Sequence, residues 1–229
     1  MNFLAHALVA VRTGSGTPNG VVGAVLPDLA PMAGCRLYPE LLDAEQLGPE
    51  VLAGIACHHQ ADRAFHADRA FTAGARRLRR AALAAGLAPG ASRAVGHAGW
   101  ELLLDGQLPD RTRALEAFSG ALAAAPVAAG AFAPSDRPRW EALANHVATT
   151  RWWHHYDDPQ VVAEALHRRV RDRARLAFGS DDVPMVAEVL ASELAEVAAV
   201  AGPVVDRLVC EASPRGEVPV TPPSGGARS

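Results

Sequence analysis

Three metal-type side chains at equal steps constrain this chain more than any other feature. Within Gly54-Ile55-Ala56-Cys57-His58-His59-Gln60-Ala61-Asp62-Arg63-Ala64-Phe65-His66, the residues His58, Asp62 and His66 stand four apart. In a helix each follows the last by about one turn, so all three share a face. Val51, Leu52 and Ile55 carry helical spacing into the same segment, with Pro49 suited to its first helical position. Two imidazoles and a carboxylate on adjoining turns are what zinc, iron or manganese takes from a helix. A lone His-x-x-x-Asp reads as a core histidine beside a surface hydrogen bond. Three such residues in one stripe, with a second pair elsewhere, read as a site.

The second pair is His97 and Glu101, at the same step in another predicted helix. Taken alone it would be an exposed i, i+4 polar pair. Gly96 and Gly99 flank it and weaken a helix, which close approach to another helix or to a substrate would explain. His6 lies on an apolar helix, where a single histidine is ordinarily a core residue with one hydrogen bond. Asp28 follows Pro27 and reads locally as a turn or cap residue. Four elements would nonetheless each contribute one inward metal-type group, as helical bundles do when they build metal centres.

Elsewhere the chain reads as helix after helix, with no strand-rich block and no internal repeat. The periodicity predicts helices over 2–12, 19–26 (turning at Pro27-Asp28), 49–70, 70–86, 91–105, 110–124, 139–156, 159–178 and 183–211. The Pro- and Gly-rich segment 213–229 predicts a disordered tail. The expected fold is all-α, one helical domain over residues 1–212. With 49% hydrophobic and 21% charged residues, the chain has enough apolar material for a buried core.

A formal charge of -3 gives no reason to expect nucleic acid or an anionic membrane as partner. No apolar run is read as long enough to span a bilayer. Cys35, Cys57 and Cys210 are widely spaced and form no C-x-x-C pair, which argues against a disulfide framework. The N-terminus has no signal-like pattern, and the expected location is cytoplasmic. Every basic residue other than histidine is an arginine. Arg76, Arg77, Arg79 and Arg80 form a basic surface suited to an acidic partner or substrate. The run Arg168, Arg169, Arg171, Arg173 and Arg175 reads as a solvated face that could hold phosphate, and His154 to Asp158 as a wet loop.

The opening Met1-Asn2-Phe3-Leu4-Ala5-His6, the Gly23-x-x-x-Pro27-Asp28 motif and Val51-x-x-Gly54-Ile55-x-x-His58-x-x-x-Asp62 together resemble the acyl carrier protein phosphodiesterase family. The likeness continues more weakly into His97-x-x-x-Glu101-Leu102-Leu103-Leu104, and faintly into Tyr156 and Arg173-x-Arg175-Leu176. The resemblance implies a helical protein similar to the HD-domain phosphohydrolases. It implies cleavage of the phosphodiester joining 4'-phosphopantetheine to a serine of holo acyl carrier protein, with a divalent metal, usually manganese. It places Asp28, His58, Asp62 and His6 in the metal site. This chain departs from the pattern at Ala24, His66 and His97; the added imidazoles suit zinc or iron.

These readings combine into metal-assisted phosphodiester hydrolysis. Asp28, His58 and Asp62, with His6, His66 and His97, are the expected ligands, and Asp62 and Glu101 the catalytic carboxylates. Glu101 is the preferred group to orient or deprotonate water. Two alternatives stay open: a metal phosphoesterase for a nucleotide or other small phosphodiester, and a non-catalytic helical binding protein with structural histidines.

Overall fold

Helical periodicity governs the folded chain throughout. In the computed structural model, which describes residues 3–42 and 44–213, every regular element among the described residues is helical. The tail expected from 213 onward falls, after Ser213, outside the described residues.

The first helix, α1 (Phe3–Arg12), is apolar on all sides and buried over Phe3 to Ala10, which places it at the centre of the molecule. Its start is capped from a distance. The carboxylate of Asp105 accepts hydrogen bonds from the amides of Leu4 and Ala5, at 3.0 and 2.9 Å. These are two of the amides that a helix start leaves without intrahelical partners. Asp105 thereby fixes where α1 begins, and with it the position of His6.

The second helix, α2 (Pro18–Met32), begins at Thr17, whose side chain accepts from the amide of Gly20. It does not turn at Pro27-Asp28 as the sequence predicts; it continues through Pro27 and Pro31 to Met32. An interior proline removes one hydrogen bond and costs about 3 kcal/mol. Burial of Leu26, Leu29 and Ala30 offsets that. Asp28 is therefore a mid-helix residue, one turn beyond Ala24.

The third helix, α3 (Ala44–Ala67), is broken at Gly48, which has φ 75°, so its long straight part starts at Pro49 as expected. Helices α2 and α3 approach until backbone meets backbone. A Cβ on Gly23 would come within 2.0 Å of the Val51 carbonyl, and one on Gly54 within 2.0 Å of the Gly20 carbonyl. This contact sets the distance between Asp28 on one helix and His58 and Asp62 on the other.

Asp68 ends the expected continuity of 49–86: its side chain accepts from the amide of Ala70 and caps α4 (Arg69–Ala84). The predicted helix 91–105 is three pieces, α5 (Pro89–Ala94), a π-helical turn over Val95–Gly99, and α6 (Trp100–Gly106). The π-turn lies against α4, where a Cβ on Gly96 would stand 2.5 Å from the Ala75 carbonyl.

Helix α7 (Arg111–Ala124) runs on into a 3₁₀ segment, Ala125–Ala131. The 21-residue stretch Arg111–Ala131, with mean hydropathy 1.3, is long and apolar enough by length and composition to cross a membrane. This corrects the expectation of no such run. It arises because Pro126 turns the helix tighter without ending it. In the fold this stretch packs on α1 and α2 and buries Phe118, Ala121 and Leu122.

Helix α8 (Arg137–Thr150) stops at Arg151, which takes the left-handed conformation, and a 3₁₀ turn covers Trp152–His155. The segment read as a wet loop is half core: Trp153 and Tyr156 are buried while Asp157 is exposed. Helix α9 (Pro159–Val170) ends before the arginine run, so Arg171 to Arg175 lie on turns rather than on a helix reaching 178. The predicted helix 183–211 is two, α10 (Val183–Ala191) and α11 (Leu194–Ala212). The break falls at Ser192-Glu193. Buried Glu193 there receives the Arg77 guanidinium, and the Ser192 hydroxyl donates to the Val189 carbonyl. Both polar contacts compete with helix continuation.

Candidate metal centre

Three helices direct imidazoles and carboxylates to one place at the centre of the molecule. His6 comes from α1, Asp28 from α2, and His58 and Asp62 from successive turns of α3. Ligating atoms of His6, His58 and Asp62 all lie within 4.8 Å of one another. Asp28 joins them through its Oδ2, 3.5 Å from His6 Nε2. The His6 and His58 rings stack with centroids 3.9 Å apart.

His6 is the most telling member. It is 1% exposed, and neither of its ring nitrogens has a hydrogen-bond partner among the described residues; the same holds for Asp28 Oδ2. A satisfied core histidine would spend at least one nitrogen on a neighbour, since a buried unpaired polar group costs about 1–3 kcal/mol. His6 Nε2 and Asp28 Oδ2, facing each other at 3.5 Å beside the donors of His58 and Asp62, fit a bound cation.

Electrostatics favour the ligating forms of His6, His58 and Asp62, and oppose that of Asp28. Burial holds His6 well below the usual imidazole range, and the rings of His58 and His59 add to the effect. Burial likewise pushes His58 down to about 4, only partly opposed by its hydrogen bond to the Ala24 carbonyl. Both rings are thus neutral, as a metal ligand must be. His58 Nδ1 lies 2.8 Å from that carbonyl oxygen, so it carries the proton and leaves Nε2 with a lone pair. This is the outer hydrogen bond that normally fixes a ligating imidazole. Burial raises Asp28 to about 7. Burial is the largest single influence on Asp62 and acts the same way, but the hydrogen bond from His66 and the positive charge around the group together overcome it and keep that carboxyl below the ordinary range.

A second cluster adjoins the first. His66 Nε2 is 3.3 Å from Asp62 Oδ1, and His97 Nε2 is 3.2 Å from Glu101 Oε1. Ligating atoms of His66, His97 and Glu101 also lie within 4.8 Å of one another, and the two rings stack at 5.0 Å. The π-turn carries His97, an arrangement often found at functional sites. Glu101 is buried; burial alone would raise its carboxyl, and positive groups around it, His97 and Arg169 among them, hold it down. A cavity of about 510 Å³ opens between the clusters and is lined by Asp28, Asp62, His66, His97 and Glu101.

All the metal-type residues singled out in the sequence therefore meet: His6, Asp28, His58 and Asp62 in one group, His66, His97 and Glu101 in the next. Donors of this kind suit zinc, iron or manganese. His59 stands across the His58 ring, edge-on at 5.4 Å, and belongs to neither group. Arg76, Arg77, Arg79 and Arg80 are placed elsewhere. They lie on α4, Arg77 is held by Glu193, and none lines the cavity at the clusters. The basic residues that do line it are Arg93, Arg169 and Arg173. The 168–175 run, read as a solvated face that could hold phosphate, supplies two of these, Arg169 and Arg173. The available signal was the position of Arg173 in the faint Arg173-x-Arg175-Leu176 echo. No protein-family model, curated protein or solved structure matches this chain.

Proposed function

We propose that this protein is a metal-dependent phosphodiester hydrolase, with holo acyl carrier protein as the substrate suggested by the resemblance of its motifs. The observation that carries the metal reading is the buried, unpartnered His6 meeting the equally unpartnered Asp28 Oδ2, beside His58 and Asp62. His6, Asp28, His58 and Asp62 would hold one divalent cation, and His66, His97 and Glu101 a second. When bound, such ions polarise phosphoryl oxygens and make water acidic near neutral pH.

The chain's own groups supply the rest. The Ala24 carbonyl keeps the His58 proton on Nδ1 and so orients the ring. His66 keeps Asp62 ionised and aimed at the cavity. Glu101 is held as a carboxylate inside a buried wall, so it can accept a proton from water at its Oε atoms. Arg169 and Arg173 bring positive charge to the cavity where a phosphodiester would lie.

Elemental analysis of purified wild type tests the metal. Near-stoichiometric or higher divalent metal is expected, with at least a tenfold loss of affinity in His58→Ala and in Asp62→Ala. Unchanged metal content in both variants would return the histidines to a structural role. Incubating holo carrier protein with enzyme and manganese, iron or zinc should remove the 4'-phosphopantetheine mass. No conversion with any of them would discard that substrate and leave small phosphodiesters as the alternative.

A further inference from the structure

A second cavity, of about 690 Å³, runs from Asp28 away from the clusters. It shares Asp28, Arg169 and Arg173 with the cavity between the clusters, so those three residues stand at the junction where the two cavities adjoin. One side of it is apolar, and Arg168, Arg171 and Asp172 line the other beside the shared residues. Pro31, Met32, Leu102, Leu143 and Trp152 present apolar surface from α2, α6, α8 and the turn after it. The size is that of a small-molecule site.

The arginines at the junction are also distinct from their neighbours. Arg168 pairs with Glu164 and Arg171 with Asp172. The guanidinium groups of Arg169 and Arg173 have no ion pair or hydrogen bond among the described residues. The turn that carries Arg173 is seated firmly. The Arg173 amide donates to the Val170 carbonyl at 2.8 Å, and the Leu176 amide to the Arg173 carbonyl at 2.7 Å. Gly90 lies so close that a Cβ there would be 1.7 Å from the Arg175 carbonyl.

Resting on the phosphodiesterase reading, we infer that Arg169 and Arg173 clamp the substrate phosphate at the junction, and that the second cavity receives an extended, largely uncharged organic arm attached to that phosphate. A forked guanidinium suits phosphate oxygens, and two of them on one edge would hold the group beside Asp28. The apolar wall then adds affinity in proportion to the chain it removes from water. An arm rich in hydrogen-bonding edges, such as a nucleobase, would find few matching groups there. The polar lining is mostly charged side chains, with His146, Trp152 and Tyr156 beside them.

Calorimetric titration of the full chain with inorganic phosphate and with octyl phosphate tests this. Octyl phosphate should bind about tenfold or more tightly than phosphate. Arg169→Met and Arg173→Met should each weaken both ligands about tenfold, with partial recovery in Arg169→Lys. Met32→Glu changes an exposed position on the cavity wall; it should abolish the octyl advantage and leave phosphate binding within about twofold. Equal affinity of the two ligands for wild type, or unchanged binding in both methionine variants, would overturn the inference. Elemental analysis of the same samples separates the two readings. Metal retained without alkyl discrimination counts against the cleft alone. Arginine-dependent binding of octyl phosphate by a metal-free wild type supports the cleft and counts against the hydrolase.

Discussion

Asp105 and Asp206 make the same kind of contact and should matter very differently. The Asp105 carboxylate is buried and accepts two amides at the start of α1. Its loss leaves both donors stranded away from water, so Asp105→Ala should cost about 2–4 kcal/mol in chemical denaturation. Asp206 pairs with Arg12 at the surface, at 2.8 Å, and Asp206→Ala should cost less than about 1 kcal/mol. The two values measured side by side check whether burial, rather than the contact itself, carries the energy. At this scale much of the candidate metal centre was legible in the sequence, because an imidazole and a carboxylate four residues apart on a helix necessarily share a face. His6 was legible only through the resemblance of its motif, not from its local surroundings. A single histidine on an apolar helix has the same local signature whether its ring is satisfied or left without partners; only the arrival of Asp28 and His58 tells them apart.

Glycines decide how elements meet. Where Gly54 crosses α2, a methyl group would fall 2.0 Å from the Gly20 carbonyl. Gly54→Ala must therefore push α2 off α3, at a cost of about 1–3 kcal/mol. The same shift withdraws Asp28 from His58 and Asp62, so metal content should fall together with the melting temperature. Gly120 on α7 has nothing within 4 Å of where a Cβ would be, and Gly120→Ala should instead stabilise by about 0.4–1 kcal/mol. Opposite signs for these two glycines would be expected in thermal melts; equal signs would show that the helix contact is looser than described. Helix existence was readable from periodicity for nearly every element. Helix ends were not. Pro27 ends α2 by local rules and fails to, because burial of Leu26, Leu29 and Ala30 outweighs one lost hydrogen bond. Glu193 splits a run that is helical by pattern, because its carboxylate answers Arg77 on another helix.

Across the whole molecule, the candidate ligands of the first cluster come from α1, α2 and α3, elements that also meet through apolar packing and the His58–Ala24 hydrogen bond. A cation held there ties the three together and stabilises the folded state by linkage. At a free metal concentration about 100 times Kd the gain is about 2.7 kcal/mol. For a chain of this length that corresponds to about 5–10 °C in Tm. Chelation should lower Tm by that amount, re-addition of manganese, iron or zinc should restore it, and His58→Ala should melt at the same temperature with or without chelator. The amino-acid sequence by itself determined that the regular structure of the described residues is helical and that particular histidines and carboxylates share helix faces, since periods of 3.6 residues and steps of four are local properties of the backbone. Only the tertiary structure decided that two clusters adjoin, that Arg169 and Arg173 rather than the α4 arginines face them, and that an apolar cleft leads away from Asp28. Those outcomes depend on which faces of distant helices are pressed together, and that is settled by burial and backbone clearance summed over the whole core.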